Sequence, residues 1–226
     1  MFTIVIPLFN EEKNIINLFN EILHNLKKYK NYEIILVDDL STDNTIKIIE
    51  EFSYTNLKII KNTHNNGQSF SIHKGIENAS NDIIITIDGD GQNDPHDVPK
   101  LLNIYLNNEE IKLVAGIRNK RKDNIIKIIS SKVANGIRSR ILNDDCSDTG
   151  CSLKVFDKKI FLNFPYFNGI HRFLPALFKG YGYRTKFVNV NHRKRKFGIS
   201  KYGTIKRLLV GVRDMYKVLK ILKKNS

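Results

Sequence analysis

Short apolar runs alternate with amphipathic segments along the first half of the chain. Continuous apolar runs are typical of buried strands, whereas apolar residues spaced by three or four predict helices. Strands separated by helices favour right-handed crossovers and a mainly parallel sheet flanked by helices, which is an α/β fold. The predicted strands are 2–6, 33–37, 57–60, 82–87 and 112–117, and the predicted helices between them are 11–28, 41–52, 69–79 and 95–106.

The second half of the chain is less regular. It contains no internal repeat, no low-complexity linker and no clear domain boundary. We therefore expect one α/β domain over residues 1–200, followed by a basic amphipathic helix within residues 201–226. The elements predicted here are a helix at 123–142, a strand at 152–156, a helix at 172–179, a strand at 184–190 and a final helix at 204–222.

Charge is distributed unevenly along the sequence. Residues 1–100 carry 9 Lys and Arg against 15 Asp and Glu, whereas residues 101–226 carry 28 against 8, within a net charge of +14. A basic half implies an anionic partner, and nucleic acid, anionic lipid headgroups and a phosphorylated substrate are all candidates. The sequence has no recognised nucleic-acid-binding motif, so we do not expect nucleic acid as a partner.

Targeting and redox features are few. The apolar stretches are far shorter than the roughly 20 residues that span a bilayer, and the first residues read as a strand rather than a signal peptide. Cys146 and Cys151 are spaced neither as a redox motif nor as zinc ligands. We expect free thiols and a cytoplasmic protein.

The tetrad Asp88-Gly89-Asp90-Gly91 directly follows the apolar run 83–87. In open α/β sheets, ligands bind beyond the carboxyl ends of the strands. Two neighbouring carboxylates repel each other unless a proton or a cation joins them, and their oxygens suit Mg²⁺ or Mn²⁺. A divalent cation of this kind also binds the oxygens of a diphosphate. The alternative reading of the tetrad is a polar turn after a strand.

Two further strand ends carry polar and aromatic residues. Pro7, Phe9 and Glu11 follow the first strand, and the acidic pair Asp38-Asp39 follows the second. The carboxyl ends of parallel strands lie at one edge of the sheet, where an aromatic ring can stack on a base and a carboxylate can accept from ribose hydroxyls. Asp38 and Asp39 alone also fit a structural role at a helix N-terminus.

The ordered set of motifs resembles glycosyltransferase family 2 of the GT-A (Rossmann-like) fold, and most of all its polyprenyl-phosphate branch, which is similar to dolichol-phosphate mannose synthase. The resemblance covers nearly the whole chain. The motifs are P-x-F-N-E at 7–11, V-D-D-x-S-T-D at 37–43, N-x-G-Q at 65–68, D-G-D-G-Q-N-D-P at 88–95, D-T-G-C at 148–151, H-R-F-L-P-A-L at 171–177, and H-R-x-R at 192–195 followed by G-x-S-K-Y at 198–202.

The resemblance implies a donor site for a UDP- or GDP-linked sugar and a divalent metal, Mg²⁺ or Mn²⁺. The metal ligands would be Asp88, Asp90 and Gln92. Leu40 departs from the family, which usually has glycine there, so the turn after the second strand is in question. The residues that would bind the nucleotide sugar are Pro7, Phe9, Glu11, Asp38, Asp39, Gly67, Asp88, Gln92, Arg195 and Lys201.

The resemblance also implies a single displacement that inverts the anomeric centre, with Asp90, Asp148 and Arg118 as catalytic residues. A phosphate acceptor is already anionic, so it needs cationic positioning more than a general base. Arg118, Ser131 and Lys132 would grip that phosphate. Asp148 matches the acid–base position of the wider family, and here it would orient the acceptor or the sugar. The alternative role of Asp148 is structural: it would cap the turn that follows it.

The C-terminal segment favours membrane association on independent grounds. Residues 192–226 carry 12 Lys and Arg against Asp214 alone, and apolar residues between 205 and 222 form a stripe at helix spacing. Such a helix either lies in the membrane interface or packs on the domain. Many family members continue into transmembrane helices, whereas this sequence suggests docking on the membrane surface or on a separate membrane protein.

Three hypotheses follow. In the first, a metal-dependent enzyme transfers a hexose from a nucleotide sugar to a polyprenyl phosphate at the cytosolic face of the membrane. In the second, the same fold transfers to a sugar hydroxyl of a cell-surface glycan, with Asp148 as an obligate base. In the third, the chain is a non-catalytic, anion-binding membrane adaptor. The sequence leaves the sugar, the base, the lipid length and the oligomeric state open.

Overall fold

The computed structural model describes residues 1–118, 136, 138–195 and 204–225, with the backbone alone at 204–209 and 225. Seven described strands form one sheet in the order β3-β2-β1-β4-β6-β5-β7. The strands are β1 (Thr3–Leu8), β2 (Glu33–Asp38), β3 (Leu57–Lys61), β4 (Ile83–Thr86), β5 (Ile111–Arg118), β6 (Lys154–Asp157) and β7 (Arg184–Val190). The helices are α1 (Ile15–Asn25), α2 (Thr45–Glu50), α3 (Gln68–Glu77), α4 (Val98–Leu106), α5 (Lys158–Leu162), α6 (Leu174–Gly180) and α7 (Thr204–Asn225).

The sheet is mainly parallel, as predicted. β3, β2, β1 and β4 pair in parallel, and β5 pairs in parallel with β7. β6 lies between β4 and β5 and runs antiparallel to both. Its two antiparallel pairings leave β4 and β5 pointing the same way, so the carboxyl ends of six strands meet at one edge. The start of β6 reaches that same edge.

Side-chain alternation divides the core into two layers. Ile4, Ile6 and Leu8 of β1 point to one face, where α1 and α4 cover them, whereas Val5 points to the other face, where α3 and α6 pack. A strand that is apolar on both faces is the pattern of a sheet buried between helices. The architecture is therefore helix, sheet, helix, with the polar strand ends left at the edges.

The final helix α7 packs on the second of these faces. Val218 is fully buried there, and Met215, Leu219 and Leu222 pack against the same cluster. The buried carboxylate of Asp214 accepts a hydrogen bond from Arg172 Nη2 at 2.7 Å. For these described residues, the apolar stripe thus follows the packed alternative. Among the helices that the structure describes, none is long and apolar enough to cross a membrane.

The turn after β2 contains an energetically unfavourable residue. Leu40 has φ of 65°, the left-handed conformation that glycine adopts readily and leucine rarely does. Its side chain is about half exposed, with a relative accessibility of 46%. The chain therefore keeps a turn geometry suited to glycine although glycine is absent, at a cost in conformational energy.

We expect Leu40→Gly to raise the free energy of unfolding by up to about 1 kcal/mol, because relief of a strain of about 1–2 kcal/mol is partly offset by the greater freedom of glycine in the unfolded chain. Urea denaturation measures this change. Leu40→Ala is the matched control, since it removes the exposed side chain but keeps the Cβ atom that causes the strain. Equal changes in the free energy of unfolding for the two substitutions would show that the backbone at residue 40 is not strained.

Candidate functional site

Four strand ends bring the predicted site segments to one edge of the sheet. Pro7 lies near the end of β1, Asp38 ends β2, Asp88 follows β4 by two positions, and Arg118 ends β5. All four strands point the same way. The expected common edge is therefore present in the structure.

The loops after β1 and β2 are joined by hydrogen bonds. The backbone N–H of Asn10 donates to Ser41 Oγ at 2.9 Å, and the N–H of Thr42 donates to Asn10 Oδ1 at 2.8 Å. The N–H of Glu11 donates to Thr45 Oγ1 at 2.8 Å. Side chains thus satisfy the backbone donors of both loops, which fixes Glu11 and the start of α2 relative to each other.

The two aspartates after β2 have different surroundings. Asp39 accepts at Oδ1 from Asn62 Nδ2 and the N–H of Asn66, and at Oδ2 from the N–H of Gly67 at 2.8 Å. Asp39 therefore holds the 62–67 loop in place. Asp38 accepts from the N–H of Ser41 at Oδ2, while its buried Oδ1 has no hydrogen-bond partner among the described residues.

Gly89 lets the β1 and β4 loops approach closely. A Cβ atom at this position would lie 3.1 Å from the carbonyl oxygen of Pro7 and 3.5 Å from Glu11 Cγ. The missing side chain therefore places the Asp88 and Asp90 carboxylates directly beside the loop that carries Phe9, which is half-buried. The motifs at 7–11 and 88–95 thus lie side by side here.

The carboxylates of Asp88 and Asp90 both have partners within the chain. Gln68 Nε2 donates to Asp88 Oδ1 at 2.6 Å. The N–H of Gln92 donates to Asp90 Oδ1 at 3.0 Å, and the guanidinium of Arg195 forms a close ion pair with Asp90 Oδ2. Sequence reasoning did not single out Gln68, although its position in N-x-G-Q gave a signal.

The chemistry of this pair fits a divalent cation. Burial, and next the negative charge of Asp90, raise the pKa of Asp88 to about 7. Among the described residues, no cluster of three or more His, Cys, Asp or Glu side chains could hold a metal. A cation bound by two carboxylates completes its shell with phosphate oxygens and water. The pair therefore suits a cation that binds together with a diphosphate.

The segment that carries Arg195 is paired with the residues after this motif. The N–H of Arg193 donates to the carbonyl of Gln92 at 2.8 Å, and His192 forms a bridge with Asn93. The guanidinium of Arg193 binds Glu21 at 2.6 Å and Asp94 at 2.7 Å. These contacts bring a chain segment from the far end of the sequence next to Asp90.

Asp148 and Arg118 form a bidentate ion pair. Arg118 Nε donates to Asp148 Oδ2 and Nη2 donates to Oδ1, both at 2.6 Å, and the backbone N–H of Arg118 donates to Oδ2 at 3.2 Å. Both side chains are largely buried. Parallel N–H···O bonds of this kind fix both groups in orientation. The structure thus joins two residues that the sequence assigned to separate roles.

Lys154 is a buried cation that sequence reasoning missed. In β6 it pairs with Thr86 of β4 and Ala115 of β5, and its ammonium donates to the carbonyl of Cys151. Burial lowers its pKa, while the negative charges of Asp88 and Asp148 act in the opposite direction. The signal was a lysine inside the otherwise apolar run Leu153–Phe156.

Arg138 also has a role that the sequence did not suggest. It lies within the predicted helix 123–142, and the structure buries its side chain. Its Nε lies 3.0 Å from Asp144 Oδ2, and its Nη atoms contact the Thr149 hydroxyl and the Cys146 carbonyl. This buried pair stabilises the loop that carries Asp148.

His171 lies beneath the site and belongs to its support. Its Nδ1 is 2.7 Å from Ser69 Oγ, which also accepts from the N–H of Gly169 at 2.7 Å. Burial lowers the pKa of His171 to about 3, so the imidazole is neutral near pH 7. Ser69 follows Gln68 in α3, and this contact therefore helps to position the donor to Asp88.

Three predicted site residues lie outside the described part of the chain: Ser131, Lys132 and Lys201. Of the twelve remaining predicted residues, six lie in β1, at the end of β2 or in the loops after β1, β2 and β3, and the other six form two groups of side chains. The first surrounds Asp88 and Asp90, with Gln92 and Arg195. The second is the Asp148–Arg118 pair.

Comparison with known sequences identifies relatives. The family model described as glycosyl transferase family 2 matches residues 3–163. Dodecaprenyl-phosphate galacturonate synthase of Rhizobium johnstonii is 34% identical over 224 residues, which cover 96% of this chain and 66% of the relative. Undecaprenyl-phosphate 4-deoxy-4-formamido-L-arabinose transferase of Proteus mirabilis is 32% identical over 209 residues, covering 90% and 63%. The chain thus spans just under two thirds of these relatives' length.

Comparison with solved structures identifies the fold. Glucosyl-3-phosphoglycerate synthase of Mycobacterium tuberculosis, crystallised with Mn²⁺, UDP and phosphoglyceric acid, superposes with a TM-score of 0.70 at 18% identity. The match covers 97% of this chain and 77% of that one. A crystal structure of the same synthase with Mg²⁺ and UDP gives a TM-score of 0.67. The likeness confirms the expected GT-A fold.

Proposed function

Because the chain belongs to glycosyl transferase family 2, we propose that it transfers a sugar from a nucleotide diphosphate sugar to a polyprenyl phosphate. The names of the two relatives support this acceptor class, since both refer to a polyprenyl phosphate. The same names refer to a galacturonate and to a modified arabinose, so the donor sugar differs among the relatives.

The observation that carries this proposal is the Asp88–Asp90 pair, which lies between the β1 loop and Arg195. Asp88, Asp90 and the side-chain oxygen of Gln92 would hold Mg²⁺ or Mn²⁺. When bound, the cation would offset the charge that develops on the leaving diphosphate. Metal ions in the structural neighbours support this assignment.

The nucleoside would bind between the loops after β1 and β2. Phe9 offers a ring for stacking, and Asp38 Oδ1 is a buried acceptor without a partner among the described residues. An N–H or hydroxyl group of the nucleoside would satisfy that acceptor, which is otherwise costly to bury. We assign the nucleoside contact to Asp38 rather than to Asp39, because both oxygens of Asp39 bind the 62–67 loop.

The Asp148–Arg118 pair favours a phosphate acceptor over a sugar hydroxyl. A hydroxyl needs a general base, but both carboxylate oxygens of Asp148 accept hydrogen bonds from Arg118. A phosphate is already anionic and can attack without losing a proton to the enzyme. In this mechanism Asp148 orients Arg118, and Arg118 positions the acceptor.

The site would work at the cytosolic face of a membrane, where a polyprenyl phosphate presents its headgroup. The outer face of α7 suits this surface. Val212 and Tyr216 are exposed there, at 54% and 60%, and Lys220 Nζ lies 4.8 Å from the centre of the Tyr216 ring. Lys223 and Lys224 continue the exposed basic surface. An exposed aromatic ring beside cations favours an anionic lipid interface.

We expect calorimetry to show binding of one UDP- or GDP-linked sugar only in the presence of Mn²⁺ or Mg²⁺. Asp90→Ala should weaken this binding at least about tenfold, because it removes a charged metal ligand. Asp82→Asn, an exposed carboxylate near the start of β4 and thus near the opposite edge, is the matched control. If no UDP- or GDP-linked sugar bound and no lipid-linked sugar formed, the proposed function would be wrong.

The acceptor class can be tested with Asp148→Asn in a radiolabelled transfer assay. With a phosphate acceptor, we expect a higher KM for the acceptor and a kcat within about tenfold of the wild type, because Arg118 loses its orientation but no proton transfer is lost. With a sugar hydroxyl as acceptor, loss of the base should lower kcat by about 10²–10⁴-fold. A kcat loss of that size would favour the glycan alternative.

Membrane docking can be tested with the triple variant Lys220→Gln, Lys223→Gln and Lys224→Gln. We expect at least tenfold weaker binding to vesicles that contain phosphatidylglycerol, since each cation near such a surface contributes about 1 kcal/mol. The matched control carries Lys27→Gln, Lys28→Gln and Lys30→Gln, exposed at or just beyond the end of α1. Equal losses in both variants would indicate net charge rather than a docking face.

A further inference from the structure

Asp90 is neutralised by a residue of the chain itself. The guanidinium of Arg195 forms its close ion pair with Asp90 Oδ2, and Asp90 has only 10% of its side chain exposed. A carboxylate held this far from solvent is stable as an anion only with a cation beside it. Among the described residues, Arg195 is a cation in this position.

The backbone leading to Arg195 is anchored independently of this ion pair. The N–H of Asn191 donates to Asp97 Oδ2 at 2.6 Å, and the N–H of Arg193 donates to the Gln92 carbonyl at 2.8 Å. The Arg193 guanidinium adds two ion pairs, to Glu21 and Asp94. Arg195 lies two residues beyond this anchor, so its side chain can change partner while residues 191–193 remain in place.

A divalent cation and Arg195 require the same carboxylate. A metal ligated by Asp90 would replace one positive partner with another, and two cations at one buried carboxylate would repel each other. A diphosphate adds negative charge at the same edge, and the planar fork of an arginine binds phosphate oxygens in a bidentate manner.

We propose that Arg195 is an exchangeable counter-ion of Asp90: it neutralises the carboxylate in the donor-free chain and moves to the diphosphate when the metal takes its place. This inference rests on the proposed function and deepens it. Arg195 then opposes binding of the metal alone and favours binding of the metal together with the diphosphate. Metal and nucleotide would bind cooperatively because one side chain serves both.

The test measures two affinities of the full chain by calorimetry: that of Mn²⁺ alone, and that of UDP or GDP at saturating Mn²⁺. We expect Arg195→Gln to bind Mn²⁺ alone on the order of tenfold more tightly and the nucleotide on the order of tenfold more weakly, a coupling of ordinary size. The opposite signs distinguish exchange from a structural role, which would weaken both affinities.

Two further variants sharpen the comparison. Lys194→Gln removes the same charge from the exposed neighbouring residue, and we expect both of its affinities to stay within about twofold of the wild type, since surface charges are screened. Arg195→Lys keeps a cation for Asp90 but lacks the bidentate fork. It should therefore retain the weak Mn²⁺ binding of the wild type and still lose nucleotide affinity.

Each contrary result has a distinct meaning. Equal Mn²⁺ affinity in the wild type and Arg195→Gln would overturn the exchange and leave the proposed function intact. If Lys194→Gln also bound Mn²⁺ more tightly, the change in Mn²⁺ affinity would be explained by net charge alone. That result would overturn the exchange too. Failure of Mn²⁺ to bind any variant, with or without nucleotide, would overturn the proposed metal-dependent function and the exchange together.

Discussion

Charge balance at the carboxyl edge of the sheet is the constraint on which the rest of the site depends. Asp88, Asp90 and Asp148 are among the carboxylates at this edge, where burial makes an unpaired charge costly. Arg195 pairs with Asp90 and Arg118 pairs with Asp148, while Lys154 is buried in β6 between β4 and β5. The site can hold Asp90 and Asp148 as anions because the fold supplies matching cations, whereas burial and the negative charge of Asp90 raise the pKa of Asp88.

The antiparallel strand β6 makes this balance possible. If the strand between β4 and β5 ran parallel to them, its last residues would lie at this edge. Here the residues at this edge come from the beginning of β6, so Lys154 lies beside Thr86 at the end of β4, two positions before Asp88. The buried Arg138–Asp144 pair fixes the loop before β6 and thereby places Asp148 opposite Arg118. The direction of β6 in the sheet therefore determines which charged residues meet at the site.

The sequence predicts what depends on local pattern and misses what depends on distant pairing. Alternating strands and helices predict the sheet, and the motifs predict that Asp38 and Asp88 reach one edge, because both properties follow from neighbours in sequence. The partners of those residues were not predictable in this way. Gln68 reaches Asp88, and Arg195 reaches Asp90 across 105 positions, through contacts that only the folded chain creates. Composition alone does not distinguish a buried lysine such as Lys154 from a lysine on the surface.

A balanced site also constrains how ligands enter. Because Asp90 and Asp148 already have cations, a metal ion that binds alone adds uncompensated positive charge there, and an anion that binds alone is repelled by the carboxylates. A metal together with a diphosphate avoids both costs, since each neutralises much of the charge of the other. The acceptor phosphate then adds negative charge on the side of Arg118, where the paired guanidinium is already oriented. The same electrostatic requirement that stabilises the fold therefore favours ionic ligands that bind in matched pairs.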